Sequence, residues 1–158
     1  MLKDDILSCF DGMSAKVSIV LKDLLKEEAV LELDAARVVP SASTIKILIM
    51  IEALKQVMES RLSLEEMVFI KPSEKVDFSI ISELDVACYS IRDLITLMII
   101  ISDNTATNVL IDILGYDNIN AQAERMQLKG TALNRKMMDF EAARQGRQNL
   151  TTVRDMAY

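Results

Sequence analysis

Ser43-Thr44-Ile45-Lys46-Ile47-Leu48-Ile49-Met50-Ile51 is the stretch on which the fold turns. Together with Leu54 it is apolar almost all round, which marks a helix from Ser43 to about Ser60 as central and buried. Pro40, just upstream, helps to fix its start. A serine and a lysine three residues apart share one helix face, close enough to exchange a proton. At a helix N-terminus the unpaired N–H groups and the positive dipole end favour a developing oxyanion, which acyl transfer needs. Alone the pair is weak evidence, because 12 Ser and 10 Lys in 158 residues make about one such match by chance. The alternative is an exposed N-cap serine beside a solvated lysine.

Composition narrows the chemistry around that pair. The chain has no histidine, which removes Ser-His-Asp and Cys-His catalysis and the His-containing zinc sites. Any general base is then a lysine, a carboxylate or a tyrosine. Gly12, Gly115, Gly130 and Gly146 are too scattered for a phosphate cradle or a dinucleotide fingerprint, so no nucleotide cofactor is indicated. A net charge of −6 with no Lys/Arg cluster argues against a nucleic-acid partner. The longest uncharged apolar runs, around residues 47–51 and 94–101, fall far short of the roughly 20 residues that cross a bilayer. No membrane span is expected. Met1-Leu2-Lys3-Asp4-Asp5-Ile6 carries acids where a signal peptide needs a basic start, so the chain as given is expected in the cytoplasm or has lost an export signal. Cys9 and Cys88 indicate neither a disulfide framework nor a metal site; both are expected to be buried small hydrophobes.

A length of 158 residues with 51% hydrophobic content fits one domain with a real core. Residues 1–42 are expected to form a helix and two strands, and residues 43–158 a helical region. The pattern predicts a short amphipathic helix over 3–11 and strands over 16–21 and 29–33, with 22–28 as the hairpin linker. A turn at 63–66 leads into an extended run that Pro72 closes. Ser90 with Asp93 resembles a capping box, although Glu or Gln is the usual partner, and opens a helix to about Ile101. A second helix runs to Leu114 and ends at Gly115. Asp117 is expected to cap another helix to about Leu128, and Thr151 or Thr152 to cap the last.

Between the first two of these helices lies Ser102-Asp103-Asn104, followed by Thr105-Ala106-Thr107-Asn108. A hydroxyl and an amide on this turn can face a cleft shared with the Ser43 helix; otherwise the tripeptide is a plain helix cap, which suits all three residue types. With Ser43–Lys46 it resembles the S-x-x-K and S-D-N motifs of class A β-lactamases and penicillin-binding proteins, in order, separation and flanking helices. Thr131-Ala132-Leu133-Asn134-Arg135-Lys136-Met137-Met138-Asp139-Phe140-Glu141-Ala142, then Gly146, Asn149 and Asp155, resembles the region that follows those motifs in related serine hydrolases. The resemblance runs from about residue 12 to the end. It implies an α+β, mostly helical fold: the helical subdomain and N-terminal β-hairpin of the β-lactamase/transpeptidase-like fold, with the C-terminal strands missing.

Carried over residue by residue, the resemblance makes Ser43 the acylated nucleophile and Lys46 its proton acceptor or the group that lowers its pKa. Ser102 would pass a proton to the departing nitrogen. Asn104 would bind the substrate and help to position Lys46, while Asp103 braces the loop. Three departures stand out. Matching Leu133 and Arg135 to the family pattern puts Met137 where class A enzymes carry the water-activating glutamate, and methionine cannot accept a proton. Asp139 and Glu141 either substitute for it or are ordinary surface carboxylates. Family members carry a Lys-Thr-Gly strand after the helical region, which binds the substrate carboxylate and sits beside the second oxyanion-hole donor; none occurs here, since Lys129-Gly130-Thr131 has the wrong order and lies too early. Asp77-Phe78-Ser79 stands where relatives often have glycine.

The expected function is a serine hydrolase acting on β-lactams or related peptidoglycan amides through an acyl-enzyme on Ser43, without metal or cofactor. The alternative is a non-catalytic penicillin-fold module that forms a homodimer or complements a partner chain, because a lone hairpin leaves an open edge. Family relatives are often exported.

Overall fold

The computed structural model describes residues 2–26 and 28–158; Met1, and Glu27 in the expected hairpin linker, lie outside the described residues. Helix α1 (Leu2–Ser8) precedes an antiparallel hairpin of β1 (Ile19–Asp23) and β2 (Glu28–Leu33), in which Ile19 faces Leu33 and Leu21 faces Leu31. Strand β3 (Val39–Pro40) leads through a 3₁₀ turn at Ala42–Thr44 into α2 (Ile45–Met58). Then come β4 (Met67–Phe69), α3 (Ile80–Glu83), β5 (Cys88–Ser90), α4 (Ile91–Ile100), α5 (Asn104–Leu114) and α6 (Tyr116–Arg125). The chain closes with α7 (Phe140–Arg144), β6 (Leu150–Thr151) and α8 (Val153–Met156).

Helix α2 packs against α4, α5 and α6, and its Ile45 and Ile49 meet Leu94, Leu110, Ile111 and Ile119 in a fully buried cluster. Local chemistry sets the ends of the surrounding helices. The Ser90 hydroxyl accepts from the Asp93 N–H at 3.1 Å while the Asp93 carboxylate accepts from the Ser90 N–H at 3.1 Å, so aspartate completes a reciprocal capping box. Gly115, at φ +80°, stops α5 in a conformation that suits a residue without a Cβ. Thr152 caps α8 by accepting from the Asp155 N–H.

Two further antiparallel pairs are long-range. Met67–Phe69 lies against Cys88–Ser90, and Val39–Pro40 against Leu150–Thr151. The second pair brings the chain just before Ser43 beside the chain that follows α7.

Several expectations are corrected. The helix at the N-terminus is shorter than 3–11 and buries no side chain. Helix α2 is not covered all round: Ile47, Leu54 and Met58, one stripe at helical spacing, are 46%, 40% and 85% exposed, because its helical neighbours cover only part of its circumference. Both cysteines are exposed. Cys9 follows a helix with no buried face and donates its thiol to the Asp5 carbonyl, and Cys88 lies on the side of β5 opposite the buried Tyr89. Gly115, and not Asp117, occupies the cap position of α6, because α5 and α6 abut at that single residue.

Candidate active site

Lys46 is the best-defined element of the site. It lies on the first turn of α2 and is 2% exposed. Its Nζ donates to the Ser102 carbonyl at 2.5 Å, to Ser102 Oγ at 2.8 Å and to Asn104 Oδ1 at 3.0 Å. The three acceptors, two on Ser102 of the α4–α5 turn and one on Asn104 at the start of α5, satisfy a buried ammonium that would otherwise be costly. Burial still disfavours the charged form and brings the amine down from 10.5 to about 8, with the Asp103 carboxylate pulling in the opposite direction.

Asp103 and Asn104 hold that turn in place. The Asp103 carboxylate, 1% exposed, caps α5 at the Ala106 N–H and accepts the Ser79 hydroxyl at 2.8 and 2.9 Å and the Ile81 N–H at 3.3 Å. Asn104 Nδ2 donates to the Asp77 and Phe78 carbonyls at 3.3 and 3.2 Å, which turns Oδ1 towards Lys46. The 77–79 segment is thus fastened over the turn from two sides.

Ser43 occupies the 3₁₀ turn at the entrance to α2, is exposed, and makes no hydrogen bond through its hydroxyl among the described residues. It lines a cavity of about 380 Å³ together with Asn104, Arg135, Met137 and Asn149. Lys46 is drawn to Ser102 and not to Ser43, so proximity along the helix does not give a resting hydrogen bond. Catalytic contacts of this kind often form only when substrate is present. Ala42, Phe78, Ser102 and Met138, none of them glycine, have φ of 47°, 54°, 58° and 62°. Such backbone costs of order 1–3 kcal/mol each and is retained where the surroundings over-determine it, commonly at functional sites. Ala42 and Met138 line the cavity, Ser102 accepts from Lys46 and Phe78 accepts from Asn104, while three further such residues, Asp34, Ser60 and Gln127, lie outside the cavity.

The segment that walls the far side is clamped by side-chain amides, a feature for which the sequence gives no periodic signal. Asn108 accepts from the Met137 N–H at 2.7 Å and donates to the Met137 carbonyl at 3.1 Å. Asn120 treats Leu133 in the same way. Asn149 accepts from the Asn134 and Arg135 N–H groups, donates to the Arg135 carbonyl, and through its own carbonyl receives the Ser41 N–H. Met137, 8% exposed and part of the hydrophobic core, is among the residues that line the cavity. Asp139 and Glu141 are exposed: Asp139 caps α7 at the Ala142 N–H, Glu141 accepts from Gln145, and neither lines the cavity.

A helical body with a two-stranded hairpin and this serine–lysine turn is the architecture of the helical part of class A β-lactamases. An ancestral class A β-lactamase superposes with a TM-score of 0.86 over 99% of this chain and 61% of its own, at 22% identity, a likeness of fold alone. A β-lactamase from Sphaerobacter thermophilus matches at 25% identity and TM-score 0.84, over 96% of this chain and 57% of its own. PBP-A matches at 28% identity and TM-score 0.84, over 98% of this chain and 57% of its own. The present chain therefore spans about three fifths of the length of these structures. No curated protein matches it. The sequence model of the β-lactamase enzyme family matches residues 1–158, and the chain belongs to that family. Among the described residues no helix is long and apolar enough to cross a membrane.

Proposed function

We propose that this chain carries the acylation centre of a serine hydrolase that opens β-lactams or related peptidoglycan amides. The observation that carries the reading is the buried Lys46 amine, lowered to about 8 and bonded at once to Ser102 Oγ and Asn104 Oδ1, beside a cavity that exposes Ser43. At neutral pH roughly a tenth of such an amine is unprotonated, against well under a thousandth for an ordinary lysine. The neutral amine takes the Ser43 proton as Oγ attacks the amide carbonyl. N–H groups at the entrance to α2 face the oxyanion. Lys46 then returns the proton through Ser102 Oγ to the departing nitrogen, the C–N bond breaks, and an ester on Ser43 remains.

Release of that ester needs a base, and Met137 supplies none. The exposed Asp139 and Glu141 are the available carboxylates of the segment, and their places outside the cavity favour a long-lived acyl-enzyme. A mutant of PBP-A, 28% identical, has been solved as an acyl-enzyme complex with penicillin G, which supports the choice of probe. Intact-mass measurement after incubation with a penicillin, with Ser43→Ala as control, tests the reading; no adduct at millimolar penicillin sinks it.

A second reading draws on the uncovered stripe of α2 and on Leu24 and Leu25 at the hairpin end, 81% and 97% exposed. An exposed apolar face of this kind marks an association surface. In that reading the chain acts by pairing with itself or with a complementing chain.

A further inference from the structure

Ser79 belongs to the Asp77-Phe78-Ser79 segment, a departure from the family pattern to which the acylation reading assigns no role. It stands at the N-cap position of α3, where a serine hydroxyl ordinarily accepts a backbone N–H of the first turn. Here it does not. The N–H of Ile81, in that turn, goes to Asp103 at 3.3 Å, and the Ser79 hydroxyl lies over both oxygens of the same carboxylate and donates to them at 2.8 and 2.9 Å. Asp103 thus serves α3 as well as α5, whose Ala106 N–H it accepts at 2.8 Å. With no capping duty, Ser79 is the side-chain donor of that carboxylate. Ser79 is 7% exposed and Asp103 1%, so solvent screens the pair weakly.

Two titratable groups on other elements feel the Asp103 charge, Lys46 from α2 and Tyr89 from β5. Burial, with the charges of Asp103 and Asp93, holds the Tyr89 phenol above its usual range, so it stays neutral while Lys46 titrates. The Lys46 ammonium is bonded to the carbonyl of Ser102, the residue that precedes Asp103. A hydroxyl dipole aimed at a carboxylate opposes its field, so the Ser79 hydroxyl weakens the hold of Asp103 on the lysine proton. We propose that Ser79 is a positioning residue of the acylation centre: its hydroxyl, turned away from α3, pins and blunts the Asp103 carboxylate beside Lys46. This rests on the reading of Lys46 as the proton acceptor and names a residue outside the cavity that tunes it.

Carbon NMR of isotopically labelled lysine, with the Lys46 Cε resonance assigned by its loss in Lys46→Arg, follows the titration of Lys46 in the whole chain without any substrate. Ser79→Ala is expected to move the midpoint up by roughly half a pH unit, a threefold drop in neutral lysine at a fixed pH below it. Ser79→Thr keeps the hydroxyl and is expected to restore the native midpoint. In an Asp103→Asn background, Ser79→Ala is expected to change nothing, because no charge remains to be blunted. Ser79→Cys, close in shape and a weak donor, is expected to shift the midpoint up by less and carries the test where Ser79→Ala does not fold. A midpoint that stays in place or falls in these variants, or that moves as far in the Asp103→Asn background, overturns the proposal, since a merely structural serine would not act through that charge. An upward shift without any penicillin adduct on the native protein removes the acylation reading and leaves the link from Ser79 through Asp103 to Lys46 standing.

Discussion

Lys46 sits where two opposing effects meet: burial strips water from its ammonium, and the Asp103 charge holds the proton on. Acylation that depends on the neutral amine rises with pH and levels off above about 8. Asp103→Asn keeps a good helix cap but removes the charge. Because that charge raises the lysine, its loss moves the inflection to lower pH, which a pH series of Ser43 labelling rates reads directly. An inflection that stays in place takes the carboxylate out of the account. Met137 sets the second expectation at this scale. Met137→Glu puts a carboxylate at the cavity wall, and the acyl-enzyme is expected to decay roughly a hundredfold faster, the lower end of what a positioned general base contributes; time-resolved mass spectrometry gives the lifetime.

At the scale of elements, the site depends on amide clamps more than on helix caps. Asn108 is 6% exposed and satisfies both backbone groups of the buried Met137. Asn108→Ala leaves them unpaired and is expected to cost about 2–3 kcal/mol, measured by denaturant unfolding; a loss under half a kcal/mol means that the segment is held otherwise. These clamps also show what the sequence conceals. The ends of α4, α5 and α8 were legible because Ser90–Asp93, Gly115 and Thr152 act within a few residues of themselves. The hairpin was legible from its strand-like composition. Asn108, Asn120 and Asn149 act across 13 to 29 residues, and an asparagine reads as a turn or cap wherever it stands. The β3–β6 and β4–β5 pairs are hidden in the sequence for a similar reason, since pairs of two or three residues leave no periodic pattern. In the site, Lys46 donates to Ser102 and Asn104, a grouping that the family resemblance implied and that spacing alone did not give. The inclusion of Arg135 in the cavity was not legible either, because only the folded 131–149 segment brings it there.

For the molecule as a whole, the uncovered side of α2 is the feature that the apolar sequence run disguised. A helix that is apolar all round reads as buried all round, yet its helical neighbours reach only part of it. The exposed stripe predicts concentration-dependent association in sedimentation velocity, relieved by Leu54→Lys combined with Met58→Lys. A monomer at every concentration removes the association reading. The chain spans about three fifths of the solved structures that it matches, so independent turnover is a separate question from acylation. The central claim is that Ser43 is a nucleophile. Incubation with benzylpenicillin at pH 8, followed by peptide mapping, is predicted to place one adduct on the peptide that contains Ser43 and none in Ser43→Ala; an unmodified native protein, or an adduct that persists in Ser43→Ala, contradicts it.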